Sequence, residues 1–396
     1  NDRTAITETR VHLLFPRALR DGLTYRLHAP ATGLHGVAVT WQPNRVSGSI
    51  QINQVGYAPH ARKLGYVGNW LGTAGPMPVV ARRFAVVDAS TGDTVLEGDL
   101  ELRAAGDPWS GNDVYTADFS ALDTPGYYRL RVPGLGRSDR FRIAPDVYDS
   151  VYRTTGRHFY HHRNSTPVSA PWAASGYERP GGIPARHDAV YHPSVATGPL
   201  GNGEPANGRH TVGGGWFDAG DYGQYIPNAA PVWYVISAAL DIAPQRFRDG
   251  DLNIPESGNG LPDLIDELDW GMDWALDMQD PADGGVYFRV ASATWDSGLP
   301  HEVDADRLIA GKTSHATAAF AAMAAIHARL LADERPARAA TVLTAARRAW
   351  QFLQTHAQWP AEGEHYRNPA GINAGEYQDP SALDNYLWAA AELFRS

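Results

Sequence analysis

"FRIAPDVYDSVYRTTGRHFYHH", residues 141–162, marks the point where the chain changes from strand-like to helix-like sequence. Before it, short runs rich in Val, Tyr, Leu and Arg are separated by Gly, Pro and Asp, a pattern typical of strands and turns. After Pro145, an aspartate cap is followed by aromatic residues at helical spacing, which predicts a helix. We therefore expect a β domain at residues 1–145 and a helical domain at residues 146–396.

The predicted β domain contains hairpin signals and alternating strands. "RFAVVD" and "TVLEGDLEL" flank "ASTGD", which predicts a hairpin turn around residues 90–93. "GYYRLRV" alternates as a half-buried strand does. Strands at this spacing predict a β-sandwich, and we expect the strand-like runs before Ser47 to add strands to it.

The second domain is predicted to be all-helical, with long loops rich in Gly, Pro, His and Asp between its helices. Loops of that length inside a compact domain are often functional. "SHATAAFAAMAAIHARLLA" is rich in alanine, which favours helix and allows close helix packing. Besides the helix that follows Pro145, helices are predicted at residues 228–240, 262–278, 313–331, 337–355 and 381–394.

Composition limits the classes of function. The formal net charge of -10 argues against binding to nucleic acid, which requires a basic surface. No apolar run is long enough to span a bilayer, so we expect no membrane partner. The chain has no cysteine, which excludes disulfides and thiolate zinc sites. The 12 Trp and 18 Tyr suit either flat ring platforms for a ligand or an aromatic core.

"GGWFDAGDYGQY", residues 214–225, places Asp218 and Asp221 three positions apart among glycines and aromatic residues. One interpretation is purely structural, because Asp and Gly are common in turns and at helix caps. The other is chemical: two carboxylates can position and deprotonate one water molecule, as in an inverting glycosidase. The spacing alone leaves both interpretations open.

The surrounding sequence resembles glycoside hydrolase family 9, the inverting cellulase family. The motif at residues 214–225 is similar to the base motif of that family, and "IQINQVGYAP" resembles the start of the immunoglobulin-like domain that precedes many of its catalytic domains. "LNIPESGNGLPDLIDELDWGMDWALDMQ", "DGGVYFRV" and "EYQDPSALDNYLWAAAEL" look like further parts of the family. The resemblance implies an immunoglobulin-like β-sandwich followed by an (α/α)6 barrel, with the active site in a cleft at one end of the barrel.

The resemblance also implies roles for individual residues. Asp221 corresponds to the catalytic base, and Asp218 to the aspartate that helps to hold the water. From its place beside the base, rather than from the resemblance, we expect Tyr222 to contact the sugar. Trp295 lies in a long loop, where its ring either stacks on a sugar or is buried and anchors the loop. The implied reaction is inverting hydrolysis of β-1,4-glucosidic bonds in cellulose or related β-glucans. The alternatives are an exo-acting β-glucosaminidase on chitosan oligomers and a carbohydrate-binding protein without catalysis.

The general acid of the family is not identified in this sequence. In relatives it is a glutamate after a histidine-arginine signature, and neither block is found here. About six helices are predicted after residue 147, half of those in a complete (α/α)6 barrel, so we expect the C-terminal part of the barrel to be absent. Glu364 and Glu376 are the late acidic candidates, but neither lies in a context similar to the acid motif.

Zinc is not expected, although some relatives with the immunoglobulin-like domain hold a structural zinc through two cysteines and two histidines. Asn164, Arg186 and Phe217 stand where three of those ligands would be, which leaves only His187. One imidazole cannot form a closed tetrahedral zinc site. No cofactor is expected to be required.

The family resemblance implies a candidate structural calcium at "LPDLIDELDW", where several carboxylates could bind a hard cation. The alternative is a solvated helix face. A separate histidine cluster in the first predicted helix is interpreted either as a metal site or as a partly solvated helix face. The acidic residues are Asp263, Asp266, Glu267 and Asp269, and the histidines are His158, His161 and His162. We expect a monomer, and the family resemblance implies a secreted or periplasmic location.

Overall fold

The computed structural model describes residues 12, 15, 17, 19–42, 44–182, 188–197, 201–356 and 366–396. The chain divides into two compact units, Asn1–Tyr152 and Arg153–Ser396. The boundary predicted from the sequence was between residues 145 and 146. Among the described residues, no helix is both long and apolar enough to cross a membrane.

The first unit is built from strands, as predicted. Its described strands are β1 (Thr24–Ala29), β2 (Leu34–Thr40), β3 (Ile50–Gln51), β4 (Leu64–Val67), β5 (Arg83–Asp88), β6 (Thr94–Ala104), β7 (Val114–Asp118), β8 (Gly126–Val132), β9 (Gly136–Arg137) and β10 (Phe141–Ile143). The main sheet has the antiparallel order β10-β8-β5-β6-β7-β4-β3, and β9 pairs with β8.

Strand β6 joins two halves of this sheet. Its residues 94–99 pair with β5, whereas its residues 100–104 pair with β7. A side chain at Gly65 in β4 would meet the side chain of Leu130 in β8 at 2.5 Å, so the two halves approach closely face to face. They share one core, which includes Ile50, Val67, Phe84, Val86, Leu100, Ala117, Tyr128, Leu130, Phe141 and Ile143. Burial of these apolar surfaces stabilises the two-layer arrangement.

The predicted hairpin between β5 and β6 is confirmed. Oδ1 of Asp88 accepts hydrogen bonds from the backbone amides of Ser90 and Thr91 at 2.8 and 3.1 Å, which closes the turn. The prediction for the residues before Ser47 was wrong. Strands β1 and β2 pair with each other in a separate two-stranded sheet rather than extending the sandwich.

The second unit contains most of the helices. The described α-helices are α1 (Asp149–His162), which begins just before the division between the units, α2 (Pro193–Thr197), α3 (Ile226–Ile242), α4 (Asp263–Asp277), α5 (Ser314–Leu331), α6 (Pro336–Thr355) and α7 (Leu383–Arg395). All six predicted helices are present. Five lie within two residues of the predicted bounds, and α1 ends at His162 as predicted but begins three residues after the predicted aspartate cap, Asp146. Helix α5 contacts α3, α4, α6 and α7, and nearly all of its residues are buried because its many alanines allow close approach.

A small sheet in the second unit was not predicted, so the expectation of an all-helical unit was wrong. Its strands are β11 (Asp188–Tyr191), β12 (Arg209–Thr211), β13 (Gln224–Tyr225), β14 (Arg289–Ala291) and β15 (Leu308–Ile309), in the order β12-β11-β15-β14-β13. Each strand is two to four residues long, which is too short for an alternating sequence pattern to be recognised. This sheet connects the aspartate motif to the loops that surround it.

Candidate active site

The aspartate motif forms a tight loop between Gly213 and strand β13. The amide of Asp218 donates to the carbonyl oxygen of Gly223 at 2.8 Å, which closes the loop around the two aspartates. Gly215 has a φ of 69° and lies against the side chains of Trp274 and Gln224. A side chain at this position would be strained and would clash, so glycine is required for the loop to pack as it does.

Asp221 lies within this loop and is buried, with an exposed fraction of 3%. Its Oδ2 accepts a hydrogen bond of 3.1 Å from the hydroxyl of Tyr225, whereas its Oδ1 has no hydrogen-bond partner among the described residues. Burial raises the pKa of Tyr225, so this hydroxyl stays protonated and remains a donor. A buried carboxylate oxygen without a partner is available to accept a hydrogen bond or a proton from a small polar molecule.

Asp218 is exposed, and both of its oxygens are held by side chains. Oδ1 accepts from Nδ2 of Asn228 at 3.1 Å, and Oδ2 accepts from the hydroxyl of Tyr377 at 2.5 Å. Burial and the bond to Asp218 raise the pKa of Tyr377, which therefore acts as a donor. The two aspartates are thus in different environments, one buried and partly unsatisfied, the other exposed and held from two sides.

Sequence reasoning did not select Tyr377 as a site residue. Its ring packs edge-on against that of Tyr225 with centroids 4.7 Å apart, so one tyrosine contacts the environments of both aspartates. Its φ of 28° is unusual for a residue with a side chain and indicates a constrained backbone. Tyr377 lies in the "EYQDPSALDNYLWAAAEL" block, one of the stretches that resemble the family. However, no spacing rule predicts that a residue of this block contacts Asp218.

Tyr222 makes contacts within the protein. Its hydroxyl donates to the carbonyl oxygen of Gly298 at 2.6 Å, and its ring packs against Phe217 and Val303. These contacts join the aspartate loop to the loop that follows β14. The side chain is half-buried, and its exposed part could contact a sugar. The contact of Tyr222 with sugar stays a prediction.

Trp295 lies in the loop that follows β14, as predicted, and 61% of its surface is exposed. The loop around it is ordered by Ser292, whose hydroxyl donates to Asp296 at 2.6 Å, and by the amide of Asn373, which donates to Ala293 at 2.7 Å. An exposed indole on an ordered loop can stack on the apolar face of a sugar ring. This role also stays a prediction.

A pocket of about 160 Å³ opens beside Asp218. Its walls combine aromatic rings with a few polar groups, a composition that suits a carbohydrate. They include Phe159, Trp216, Phe217, Tyr225, Trp274, Asn228, His158 and His162. Tyr222 and Trp295 are not among its lining residues.

The candidate calcium residues do not converge on one point. Oδ1 and Oδ2 of Asp263 accept from the amides of Gly250 and Leu252, and Asp266 accepts from Nδ2 of Asn259 at 2.8 Å. Within the described ranges, no group of three or more His, Asp or Glu residues is arranged to hold a metal ion. These carboxylates therefore do not fit a calcium cage of their own.

The remaining two of the four candidate calcium residues, Glu267 and Asp269, are paired with cations. Glu267 forms an ion pair with Arg163 at 3.1 Å and accepts from Nε1 of Trp216 at 3.2 Å. Asp269 accepts from His327 and Arg338, each at 2.9 Å. Neither of the two predicted interpretations, a solvated face or a metal site, describes them, because they are structural ion pairs.

The histidine cluster lies on α1. The rings of His158 and His162 are 3.8 Å apart, and burial lowers the pKa of both His158 and His161, which favours neutral imidazoles. At the positions considered for zinc, the amide group of Asn164 donates to Gln224, and Phe217 is buried. Arg186 and His187 lie outside the described residues, and the expectation about zinc stays a prediction.

Of the two late acidic candidates, only Glu376 lies in the described part of the chain. Its carboxylate accepts from the side chain of Gln378 at 2.7 Å, from the amide of Asn368 and from Arg367. These bonds, that of Gln378 first, lower the pKa of Glu376. A general acid must hold a proton near neutral pH, so this environment does not suit Glu376 for that role.

Comparison with known proteins covers both units. The profile described as "Glycosyl hydrolase family 9" matches residues 148–396, and the profile described as "Cellulase N-terminal ig-like domain" matches residues 45–137. The chain is similar to a xyloglucan-specific endo-beta-1,4-glucanase of Bacteroides ovatus, with 32% identity over 92% of this chain and 60% of that protein. It is also 31% identical to Endoglucanase D of Acetivibrio thermocellus, over 88% of this chain and 51% of that protein.

A solved structure of a family 9 enzyme is also similar to this chain. The crystal structure of a metagenome-derived glycoside hydrolase family 9 endoglucanase superposes with a TM-score of 0.76 and 34% identity, over 87% of this chain and 60% of that one. The chain thus spans about half to three-fifths of the length of the proteins it matches.

Proposed function

This chain belongs to glycosyl hydrolase family 9, and on that premise we propose that it hydrolyses β-1,4-glucosidic bonds of cellulose or related β-glucans with inversion at the anomeric carbon. One observation carries the proposal: Asp221 is buried, is held by Tyr225 through one oxygen, and has a second oxygen with no partner among the described residues. An inverting glycosidase needs such a carboxylate to take a proton from the attacking water.

The geometry supports different roles for the two aspartates. We assign Asp221 as the general base, because its Oδ1, which no described residue binds, can accept the proton of a water while Oδ2 stays bonded to Tyr225. We assign Asp218 as the residue that orients the water, because Asn228 and Tyr377 already engage both of its oxygens. The base acts on the face of the sugar opposite the leaving group, and the general acid that protonates the leaving oxygen is not assigned to a residue of this chain.

The proposed substrate class follows from the names of the relatives. Two relatives are named as endoglucanases and one of these as xyloglucan-specific, which favours a β-1,4-glucan over the glucosamine alternative. The exposed ring of Trp295 and the aromatic pocket beside Asp218 are suitable surfaces for sugar rings. A non-catalytic carbohydrate-binding function would not require a buried carboxylate with an unpaired oxygen.

We further propose that the helices belong to an (α/α)6 barrel and that the protein acts outside the cytoplasm. Helix α5 is surrounded by α3, α4, α6 and α7, as expected for an inner helix of a two-layer helical barrel. An extracellular or periplasmic location follows from the proposed substrate, because a glucan polymer does not cross a cell membrane.

Asp221→Ala tests the proposal in the full-length natural protein. The variant should lose most turnover, by at least the roughly 10²–10⁴-fold contribution of general-base assistance, with affinity for the sugar and Tm close to wild type. Asp218→Ala should also lower kcat, but less. Asp99→Ala removes a mostly exposed carboxylate on β6 and serves as the matched control, with unchanged activity expected.

The stereochemistry of the product gives a second measurement. Proton NMR during hydrolysis of a β-linked cello-oligosaccharide should show the α-anomer first, because water attacks from the opposite face. Initial release of the β-anomer, or a near-wild-type rate for Asp221→Ala, would contradict the proposed mechanism.

A further inference from the structure

Arg289 is the first residue of β14, and its side chain is completely buried. Among the described residues, no carboxylate forms an ion pair with its guanidinium group, and Nε has no hydrogen-bond partner. An unpaired buried charge is costly, because the desolvation of the ion is not offset by an opposite charge. A cation kept in such a place must be stabilised by other groups, and these groups lie in the loops of the candidate active site.

The guanidinium group binds backbone oxygens from two loops. Nη2 donates to the carbonyl oxygen of Ser292 at 3.1 Å, in the loop that follows β14. Nη1 donates to the carbonyl oxygens of Ala374 and, at 3.4 Å, Gly375, in the segment 366–377. It also lies 3.3 Å from Oδ1 of Asn368, whose own amide group donates to Ala374 at 3.0 Å. Arg289 therefore cross-links two segments that are far apart in the sequence.

The side chain of Arg289 also contacts Tyr225. Arg289 and Tyr225 are paired directly across strands β14 and β13, and the guanidinium carbon lies 5.1 Å from the centroid of the tyrosine ring. Gly375, whose carbonyl oxygen Arg289 binds, is in contact with the hydroxyl of Tyr225, and any side chain at this position would clash with it. The position of the Tyr225 hydroxyl, which donates to Asp221, is thus determined by Arg289 from two directions.

Arg289 is also linked to Asp218, through Tyr377. This residue is two positions after Gly375, and its hydroxyl donates to Asp218. Because Arg289 holds the carbonyl oxygens of residues 374 and 375, it determines where the constrained backbone of Tyr377 begins. Arg289 itself has no hydrogen bond to either aspartate among the described residues, so any influence on them must pass through the two tyrosines.

We propose that Arg289 is a positioning residue of the active site, which orients Asp221 through Tyr225 and Asp218 through Tyr377. The inference rests on the proposed function and adds Arg289 to the residues that carry it out. A planar guanidinium group with several fixed donors can hold carbonyl oxygens from two loops at once, whereas a lysine ammonium has no such planar fork. Replacement by lysine keeps the charge and removes this geometry.

Arg289→Lys in the full-length natural protein tests the inference. On a cello-oligosaccharide, kcat should fall about tenfold or more, and by a larger factor than KM rises, because Arg289 contacts Tyr225 and the segment before Tyr377, whereas in the loop that carries Trp295 it binds only the carbonyl oxygen of Ser292. Arg329→Lys, which alters a partly buried arginine paired with Glu392 between α5 and α7, is the matched control and should keep the wild-type kcat. A double-mutant cycle of Arg289→Lys with Tyr377→Phe should be non-additive in kcat, because both changes release Asp218.

A second measurement does not depend on turnover. Hydrogen–deuterium exchange should become faster in residues 373–379 of Arg289→Lys, with wild-type protection in helix α5. If Arg289→Lys does not fold, Asn368→Ala is used instead, because Asn368 is a half-buried residue that binds both Arg289 and Ala374. This variant should lower kcat and speed up exchange in residues 373–379, both to a smaller extent than expected for Arg289→Lys.

The outcomes separate the two proposals. If the wild-type protein hydrolyses no β-1,4-glucan, the proposed function fails, and faster exchange at residues 373–379 still supports the cross-link. Wild-type kcat in Arg289→Lys, additive effects with Tyr377→Phe, or unchanged exchange in residues 373–379 would each overturn the inference about Arg289.

Discussion

The hydroxyl of Tyr377 donates a hydrogen bond of 2.5 Å to Oδ2 of Asp218, although the two residues are 159 positions apart in the chain. The bond joins the aspartate motif to the segment that precedes α7. Asn228 binds the other oxygen of the same exposed carboxylate. The orientation of Asp218 thus depends on two parts of the chain that must pack together first.

Tyr377→Phe should lower kcat by about tenfold or more, because hydrogen bonds to charged groups contribute about 1.5–3 kcal/mol and this bond orients the proposed water-holding carboxylate. The phenyl ring keeps its packing against Tyr225, so Tm should change little. Steady-state kinetics and thermal unfolding measure the two effects. Tyr386→Phe, on α7, is the control, and an equal loss of kcat in both variants would contradict the role of the Tyr377 hydroxyl.

Gly375→Ala should reduce activity at least tenfold and lower Tm. Gly375 has a φ of 61°, and an added methyl group would collide with the hydroxyl of Tyr225, which is bonded to Asp221. Gly371 offers a matched control, because it has a φ of 91° but no described atom within 4 Å of where its Cβ would be. Both substitutions introduce backbone strain, and only Gly375→Ala introduces the collision. Equal activity in the two variants would show that the contact with Tyr225 has no catalytic importance.

Trp295→Ala should raise KM for a β-glucan by about two- to tenfold with little change in kcat, since an aromatic contact contributes about 0.5–1.5 kcal/mol and the ring is not placed at the reacting atoms. Tm should be unchanged because 61% of the ring surface is exposed. Trp109→Ala changes an indole in the first unit that is 95% exposed, and its kinetics should match the wild type. An unaltered KM in Trp295→Ala would remove this residue from the substrate site.

Stability should depend on pH through Glu267. Burial raises the pKa of Glu267 from 4.5 to about 7, although the ion pair with Arg163 acts in the opposite direction. Since the folded pKa is higher than the unfolded one, the folded state retains a proton that the unfolded state has released. Glu267 therefore favours folding below about pH 4.5, and this contribution is lost as the pH rises to about 7.

Glu267→Gln removes this titration and should flatten the decrease in Tm between about pH 4.5 and 7. The variant keeps an acceptor for Trp216, and Arg163 retains its pair with Glu256 at 2.9 Å. Differential scanning calorimetry across this range measures the slope, and Glu97→Gln on the exposed face of the sandwich is the control. Identical pH profiles for Glu267→Gln and the wild type would exclude Glu267 as the titrating group.

Much of the fold could be predicted from the sequence, because its signals are local. The turn after β5 follows from Asp88, Ser90 and Gly92, whose side-chain bonds and backbone freedom act within a few residues. The limits of α5 follow from Thr313, which caps the helix, and from an alanine-rich run that favours helix. The separate hairpin β1–β2 and the five-stranded sheet were mispredicted, since strand pairing is a long-range choice and these strands are short or lack a distinctive pattern.

The sequence by itself determined the order of the two units, the helices of the second, and the motif that carries Asp218 and Asp221, because turn chemistry, helical spacing and motif composition depend on neighbouring residues. Only the tertiary structure decided which aspartate is buried and which side chains hold them. Tyr225 and Tyr377 bind the aspartates, and Arg289 contacts Tyr225 and the segment before Tyr377, through strand pairing and loop packing. These distances therefore depend on contacts between segments as much as 159 residues apart. No spacing along the chain encodes such distances, because they result from how the loops pack against one another.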